Sequence, residues 1–431
     1  MGERPTAMSP EVARDFRRWQ YRILVAALIG YALFYFVRQN LSVAMPAMEK
    51  DLGVTKTDLG LFITLHMVLY GVSKFVNGMF VDRLNARWFM AGGLAVSALL
   101  NVAFGFNSTA LALGTIWALN GWFQGLGFPP CARLMTHWFP PRELATKMSI
   151  WNVSHSLGAG LIIVLCGYLV VWDWRLCFFV PAGLALAGAV YLAVTLRDTP
   201  ESVGLPEVEG TTPAAGSDDP ADEPVGLWPT LARYVFSNPY IWLVSVANFF
   251  VYVVRFGLIT WGPTFLQEAR HLSKIQSGWV VGGIEFGGGI LGMVSCGWLT
   301  DRVFGGRGAR TCLFYMLLCA ACLIAFRSLP VGSSFVVEAA LLLGAGFAMY
   351  GPQALIGIIG ANLGTKKAAA TAGGFTGMFG YFSAPVAGWG VGALVTRHGW
   401  DAGYGLFIAS AIAGAVVFAF CWKAPAHGYK S

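Results

Sequence analysis

The chain reads as an all-α membrane protein of twelve transmembrane helices in two six-helix halves, with both termini in the cytoplasm. Three observations predict this. The 431 residues are 56% hydrophobic and only 12% charged, with a mean hydropathy of +0.61, whereas a soluble domain carries about 25% charged residues. Apolar runs of about 20 residues, enough to cross a bilayer, recur twelve times along the chain. Features of the first half return about 220 positions later, which marks a duplication.

Residues 1–21 are polar, with Arg14, Arg17 and Arg18, and read as a cytoplasmic N-terminal segment without a cleavable-signal pattern. The first span is therefore expected to act as its own insertion signal. The N-terminal half, 22–196, holds spans at approximately 22–46, 58–81, 87–106, 110–132, 144–169 and 174–196. GFPP puts a bend in the fourth. Residues 197–236 (RDTPESVGLPEVEGTTPAAGSDDPADEPVG and its flanks) are rich in Pro, Gly and acids and read as a cytoplasmic linker. The C-terminal half, 237–425, holds spans at approximately 238–264, 275–300, 310–329, 333–361, 367–395 and 402–424, and 426–431 is a cytoplasmic tail. YGP bends the tenth span, and the Gly-rich eighth and eleventh let helices approach closely.

Most of the 29 Lys and Arg fall in segments that this topology places inside, as the positive-inside rule requires. The net charge of +7 is thus a topological signal and calls for no nucleic-acid partner. The lipid bilayer, expected to be a bacterial cell (inner) membrane, is the partner that composition requires. The eight cysteines all lie in or beside spans. The Cys319/Cys322 CxxC has no second ligand pair, so these read as packing residues, and no metal or cofactor is expected.

The repeat is visible in motifs. GMFVDRLNARWF after the second span matches GWLTDRVFGGRGAR after the eighth, aligning Asp82 with Asp301, and GFPPCARL resembles MYGPQALIG. Six spans is an even number, so both copies enter from one side and are related by an axis along the membrane normal. That symmetry puts a site near the midplane, between the halves.

Two arginines occupy matching places: Arg38 in GYALFYFVRQN and Arg255 in FFVYVVRFGL. Arg38 lies about 15 residues, or about 22 Å, into its span. A charge at a helix centre costs about 2.5–3.5 kcal/mol, so it survives mainly where it faces a polar interior. Alone, Arg38 could snorkel to an interface; paired with Arg255 it asks for an anion between the two. The guanidinium fork fits phosphate oxygens bidentately. Lys74, eight residues before Asp82, is either a cation that raises the local anion potential or a stem reaching the interface. Tyr31, Tyr35, Tyr70, Tyr350 and Tyr381 could donate hydroxyls to an anion or a sugar oxygen, or simply pack. Tyr31 and Tyr35 share a helix face that Arg38 completes. Glu285 is the clearest mid-span carboxylate and is expected to partner a site cation when the site is empty. Glu338 is expected at an external helix end, touching the interface. His66 has weaker support, His137 reads as structural, and Trp151 and Trp261 either shape the pocket or pack. No nucleophile–base–orienter set or metal cluster is visible, so an enzyme is not expected.

The D-R loops, repeated in both halves, resemble the signature loop of the major facilitator superfamily. More narrowly, GYALFYFVRQN, YGVSKF, GWFQGLGFPPCARL, WNVSHSLG, RDTPESVGLP, YVVRFGLITW, YGPQALIG and KKAAATAGGFTGMFGY resemble the organophosphate:phosphate antiporters. That family includes bacterial glycerol-3-phosphate and hexose-phosphate transporters, a hexose-phosphate sensor and the endoplasmic-reticulum glucose-6-phosphate transporter. The resemblance implies phosphate binding by Arg38 and Arg255, a place for His155 on the phosphate site, and a D-R loop clamp made of cytoplasmic ion pairs. A histidine titrating near neutrality there could follow the arrival of phosphate. Some family charges are missing: Gln39 stands where relatives carry a base, Thr260 where they carry an Asp, and Gly373 and Thr376 where the hexose-phosphate importers carry an Asp and a Lys.

The expected function is exchange of inorganic phosphate for a small phosphate ester, hexose 6-phosphate or glycerol 3-phosphate, by alternating access. An empty site holding two or three cations and few carboxylates is costly to close away from water, and a bound phosphate removes that cost. The alternative is a transporter-like sensor of external sugar phosphate acting on a membrane kinase. A monomer is the expected assembly.

Overall fold

The computed structural model describes residues 9–208 and 226–428, and every regular element among them is helical. Parts of the expected N-terminal segment (1–8), linker (209–225) and tail (429–431) lie outside the described residues. The first group of helices is α1 (Pro10–Phe36), α2 (Leu41–Leu52), α3 (Lys56–Val81), α4 (Ala86–Phe106), α5 (Ala110–Gln124), α6 (Phe128–Trp138), α7 (Pro141–Leu169) and α8 (Leu176–Thr195). A short α9 (Leu227–Leu231) falls within the expected linker, and after it come α10 (Pro239–Arg270), α11 (Lys274–Gly283), α12 (Gly289–Arg302), α13 (Gly308–Ser328), α14 (Phe335–Tyr381), α15 (Val391–His398) and α16 (Trp400–Phe420). Single π-helical turns at Ile284–Gly288 and Val386–Gly390 interrupt the crossings that contain α12 and α15.

Ten described segments are long and apolar enough to cross a membrane. One of them, Phe335–His398, holds two crossings, divided where Thr365 (φ 56°) and Ala368 (φ −145°) leave helical geometry. A further crossing is split into α5 and α6. Pro129 and Pro130 have no N–H for the carbonyls of Gly125 and Leu126, so the helix breaks there and restarts with proline in its first turn. This restores the expected twelve. The first helix starts earlier than residue 22, because Ser9 caps the Val12 amide and Pro10 opens the first turn. Its early turns seat Phe16 and Trp19 about 6 Å from Trp138, at 6.0 and 6.1 Å between ring centroids.

Within the first group α1 packs on α7 and α8, α3 on α5, and α4 on α8. Within the second, α10 packs on α14 and α16, and α13 on α14 and α16. Two seams join the groups: α3 and α6 against α14, and α7 against α12. The first and last described segments lie on one face. Gln20 donates to the Trp138 carbonyl, Trp138 to Arg197, and Gly428 to Asn362.

On that terminal face the seams are closed by backbone. A Cβ added to Gly374 would lie 2.3 Å from the Lys74 carbonyl oxygen, and one added to Gly78 would lie 2.6 Å from that of Ala370. Only hydrogen fits at either place, so α3 and α14 touch directly. At the D-R loops hydrogen bonds to backbone amides close the same face, beside the Arg133–Asp198 ion pair (2.9 Å) at the first loop. The Asp82 carboxylate accepts the Ala370 and Thr371 amides (2.8 and 2.7 Å) and the Thr371 hydroxyl (2.6 Å), just past the break in α14. Asp301 likewise accepts the Thr146 amide of α7 at 2.7 Å. The amides freed by a helix break are the donors that find these carboxylates, and an amide needs no long, mobile basic side chain.

Candidate functional site

Toward the opposite face the two groups part around a cavity of about 360 Å³. The order of residues along α3 gives the depth. Ile63, His66 and Tyr70 line this cavity, Lys74 lines a smaller chamber of about 30 Å³ beneath it, and Gly78 and Asp82 reach the closed terminal face. Tyr35, Arg255 and Tyr381 line both spaces and so form the partition between them.

Arg38 does not sit inside a helix. α1 ends at Phe36 and α2 begins at Leu41, and Arg38 lies in the break between them. Its guanidinium carbon stands 3.9 Å from the centre of the Tyr35 ring and 5.1 Å from that of Tyr70, a geometry in which ring faces attract a cation. Arg255, in mid-α10, faces Tyr350, Tyr252 and Phe256 at 5.4, 5.5 and 5.5 Å, and its Nε is buried without a partner. Lys74 is buried, with Nζ 3.9 Å above the Phe128 ring. Among the described residues no carboxylate comes within 4.0 Å of Arg38, Lys74 or Arg255. Aromatic rings surround these charges, and no carboxylate of the described residues neutralises them directly.

The expected pairing of Glu285 with a site cation is therefore corrected. Glu285 lies on the wall of the large cavity, in the π turn, and acts on Arg255 only through space. The linings of both spaces carry three cations and one carboxylate.

The tyrosines separate into two sets. Tyr35, Tyr70 and Tyr381 line the large cavity and Tyr31 the small chamber. The Tyr70 and Tyr381 rings meet edge to face at 4.7 Å, bridging the two groups of helices. Tyr350, expected on the pore face, lines neither space; it packs behind Arg255, with its ring 6.2 Å from that of His155. His155 lines the small chamber with both nitrogens engaged. Nδ1 donates to the Asn152 carbonyl at 2.6 Å, and Nε2 faces the Ser156 hydroxyl at 3.2 Å. A carbonyl only accepts, so Nδ1 carries a hydrogen. The two contacts fix the orientation of the ring on the chamber wall beside Arg255. His66 is also on the wall, its Nδ1 3.1 Å from the Trp117 carbonyl. Trp151 and Trp261 donate to the Ala27 and Ala387 carbonyls, and so serve packing. Glu338 lies in the first turn of α14, at a helix end as expected, but its side chain is buried, 3.6 Å from Arg270 Nε.

Several lining residues escape a search for charges. Asn248 and Tyr252 stand with Arg255 at helical spacing on α10, and Asn152 with His155 and Ser156 on α7, while Gln353 comes from α14. An amide seven positions before Arg255 (Asn248) and one three before His155 (Asn152) are the signal that finds these two. Gln39 and Thr260 line the large cavity. At Gly373 a Cβ would meet the Phe128 ring at 3.1 Å, and the Thr376 hydroxyl is turned back to the Gly373 carbonyl at 3.0 Å.

Residues 27–388 match the Major Facilitator Superfamily. The chain is 37% identical over 434 residues to a probable hexose phosphate transport protein of Chlamydia pneumoniae, covering 97% of this chain and 95% of that one. It is 37% identical to the glycerol-3-phosphate transporter of Bacillus subtilis (95% and 93% covered) and 37% identical to the membrane sensor protein UhpC of Salmonella typhimurium (94% and 91% covered). Its fold is that of the crystal structure of the human organic anion transporter MFSD10, with a TM-score of 0.69 at 16% identity, over 93% of this chain and 99% of that one. This multi-pass membrane protein belongs to the major facilitator superfamily and, within it, to the organophosphate:phosphate antiporter family.

Proposed function

We propose that the protein exchanges inorganic phosphate for a small organic phosphate ester across a bacterial inner membrane, with Arg38 and Arg255 gripping the phosphoryl group. The observation that carries this is the convergence of Arg38, Arg255 and Lys74 on two adjoining spaces, with no carboxylate of the described residues within ion-pairing distance. Buried cations without counterions in a low-dielectric space are costly until an anion arrives. Phosphate supplies the charge, and its oxygens complete the guanidinium hydrogen bonds. The two seams let one six-helix half (22–196) rock on the other (237–425), and the terminal face, taken as cytoplasmic, is closed here. The relatives' substrates, hexose phosphate and glycerol 3-phosphate, set the ester class. One chain contains the whole site, so a monomer suffices.

The test uses proteoliposomes loaded with phosphate and given labelled phosphate outside, competed with glucose 6-phosphate, glycerol 3-phosphate and 3-phosphoglycerate. Uptake should need internal phosphate, disappear in Arg38→Ala and in Arg255→Ala, and be inhibited most strongly by the true ester. Equal uptake into vesicles without internal phosphate overturns exchange. The likeness to a membrane sensor supports one rival: saturable ester binding with no exchange would assign the chain to sensing.

A further inference from the structure

The carbonyl of Val37 opens the argument. It lies at the start of the break between α1 and α2, and no backbone N–H among the described residues donates to it. Val37 is fully buried. Within a bilayer an unpaired backbone carbonyl is costly, and such breaks persist only where other groups satisfy them. Here two side-chain amides from two other helices do so: Asn101 of α4 and Asn120 of α5 each donate to Val37 O at 2.9 Å. Both lone pairs of that oxygen are thereby used.

The amides are themselves fixed. Asn101 Oδ1 accepts from Asn40, the last residue of the break, at 2.8 Å, and Asn40 also donates to the Cys177 carbonyl at 2.9 Å. Asn120 Oδ1 accepts the Ser97 hydroxyl. Asn40, Ser97, Asn101 and Asn120 are all fully buried. The break thus has its Val37 end tied to α4 and α5 and its Asn40 end tied to α4 and α8, and Arg38 is the charged residue between the ties. Arg255 has no equivalent device, because α10 runs unbroken through it. A grip on phosphate from two sides needs both guanidiniums in place before the anion arrives.

We propose that Asn101 and Asn120 are positioning residues for anion binding: by holding the Val37 carbonyl they keep the break open and Arg38 aimed into the cavity. This rests on the phosphate-binding role of Arg38. The test is equilibrium binding of labelled inorganic phosphate to purified protein, for Asn120→Leu, Arg38→Ala and the double variant. Asn120→Leu should weaken binding about tenfold in the wild-type background and leave the affinity of Arg38→Ala unchanged, because its effect passes through Arg38. An additional tenfold loss on top of Arg38→Ala, or no loss in the single variant, overturns the proposal. Should Asn120→Leu not fold, Ser97→Ala removes one link of the same chain; it should weaken phosphate about threefold, again only when Arg38 is present, and an equal loss in the Arg38→Ala background overturns the proposal. Wild-type protein that binds no phosphate would overturn the functional reading instead, a different result from any of these.

Discussion

Replacing Gly374 by alanine tests whether backbone contact closes the terminal face. The new Cβ would stand 2.3 Å from the Lys74 carbonyl oxygen and 2.9 Å from its carbon, whereas carbon and oxygen approach in comfort to about 3.3 Å. Neither atom belongs to a flexible side chain, so α3 and α14 must separate by about 1 Å. Overpacking of this kind costs about 1–3 kcal/mol. Charged to one state of a two-state carrier, that moves the closed-to-open ratio about 5- to 150-fold toward opening of this face. Spin labels at Leu84 and Val303, exposed residues just past α3 and α12, would read the change by pulsed electron resonance in a background without the native cysteines. The distance distribution should broaden to longer separations, and exchange should slow. Gly92→Ala, whose Cβ meets nothing within 4 Å, is the control and should change neither. Identical distributions and rates for Gly374→Ala and the control would refute the idea that this contact sets the closed state.

Two further outcomes follow from groups at the ends of the site. Burial raises the Asp82 carboxyl from 3.8 to about 6, against the pull of the Thr371 and Ala370 hydrogen bonds and the nearby Arg133. A solvated Asp82 in the opened state returns toward its ordinary value, so the closed face binds the proton more tightly. Lowering the pH from 7.5 to 5 should favour closure, with no dependence above about 7, and Asp82→Asn should abolish the effect; a pH response that survives that substitution counts against the assignment. Glu338 and Arg270 form a pair with side chains 2% and 6% exposed. Glu338→Leu should therefore cost about 3 kcal/mol, because the guanidinium is left buried without its counterion. An unchanged melting temperature in detergent would show the pair to be dispensable.

Much of this site was legible in the sequence because charge in an apolar run is conspicuous. Arg38, Arg255, Lys74 and Glu285 announce themselves by cost alone, and duplication relates the two arginines. Tyr31, Tyr35, Tyr70 and Tyr381 follow from helical spacing and resemblance. What stayed hidden is whatever depends on partners far along the chain. Nothing local in FYFVRQNLSV says that Val37 ends its helix's hydrogen bonding, since the donors are 64 and 83 positions away. Single amides in apolar spans pass for tolerated interruptions until they are seen to converge. The facings of Tyr350 and Glu338 differ from expectation for the converse reason: the facing of a residue in a long, bent helix such as α14 is set by tertiary packing, not by period.

The π turn at Ile284–Gly288 carries a consequence for evolution. Such a turn holds one residue more than the α-helical turn it replaces, so it behaves as an insertion stored inside a folded helix. Deleting one residue there would restore ordinary helix and leave α12 in register against α7, while rotating Glu285 relative to everything above it. The wall opposite Arg255 can thus be re-lettered by changes in length as well as by substitution. A carrier could acquire a new cargo by that route while its gate stays untouched.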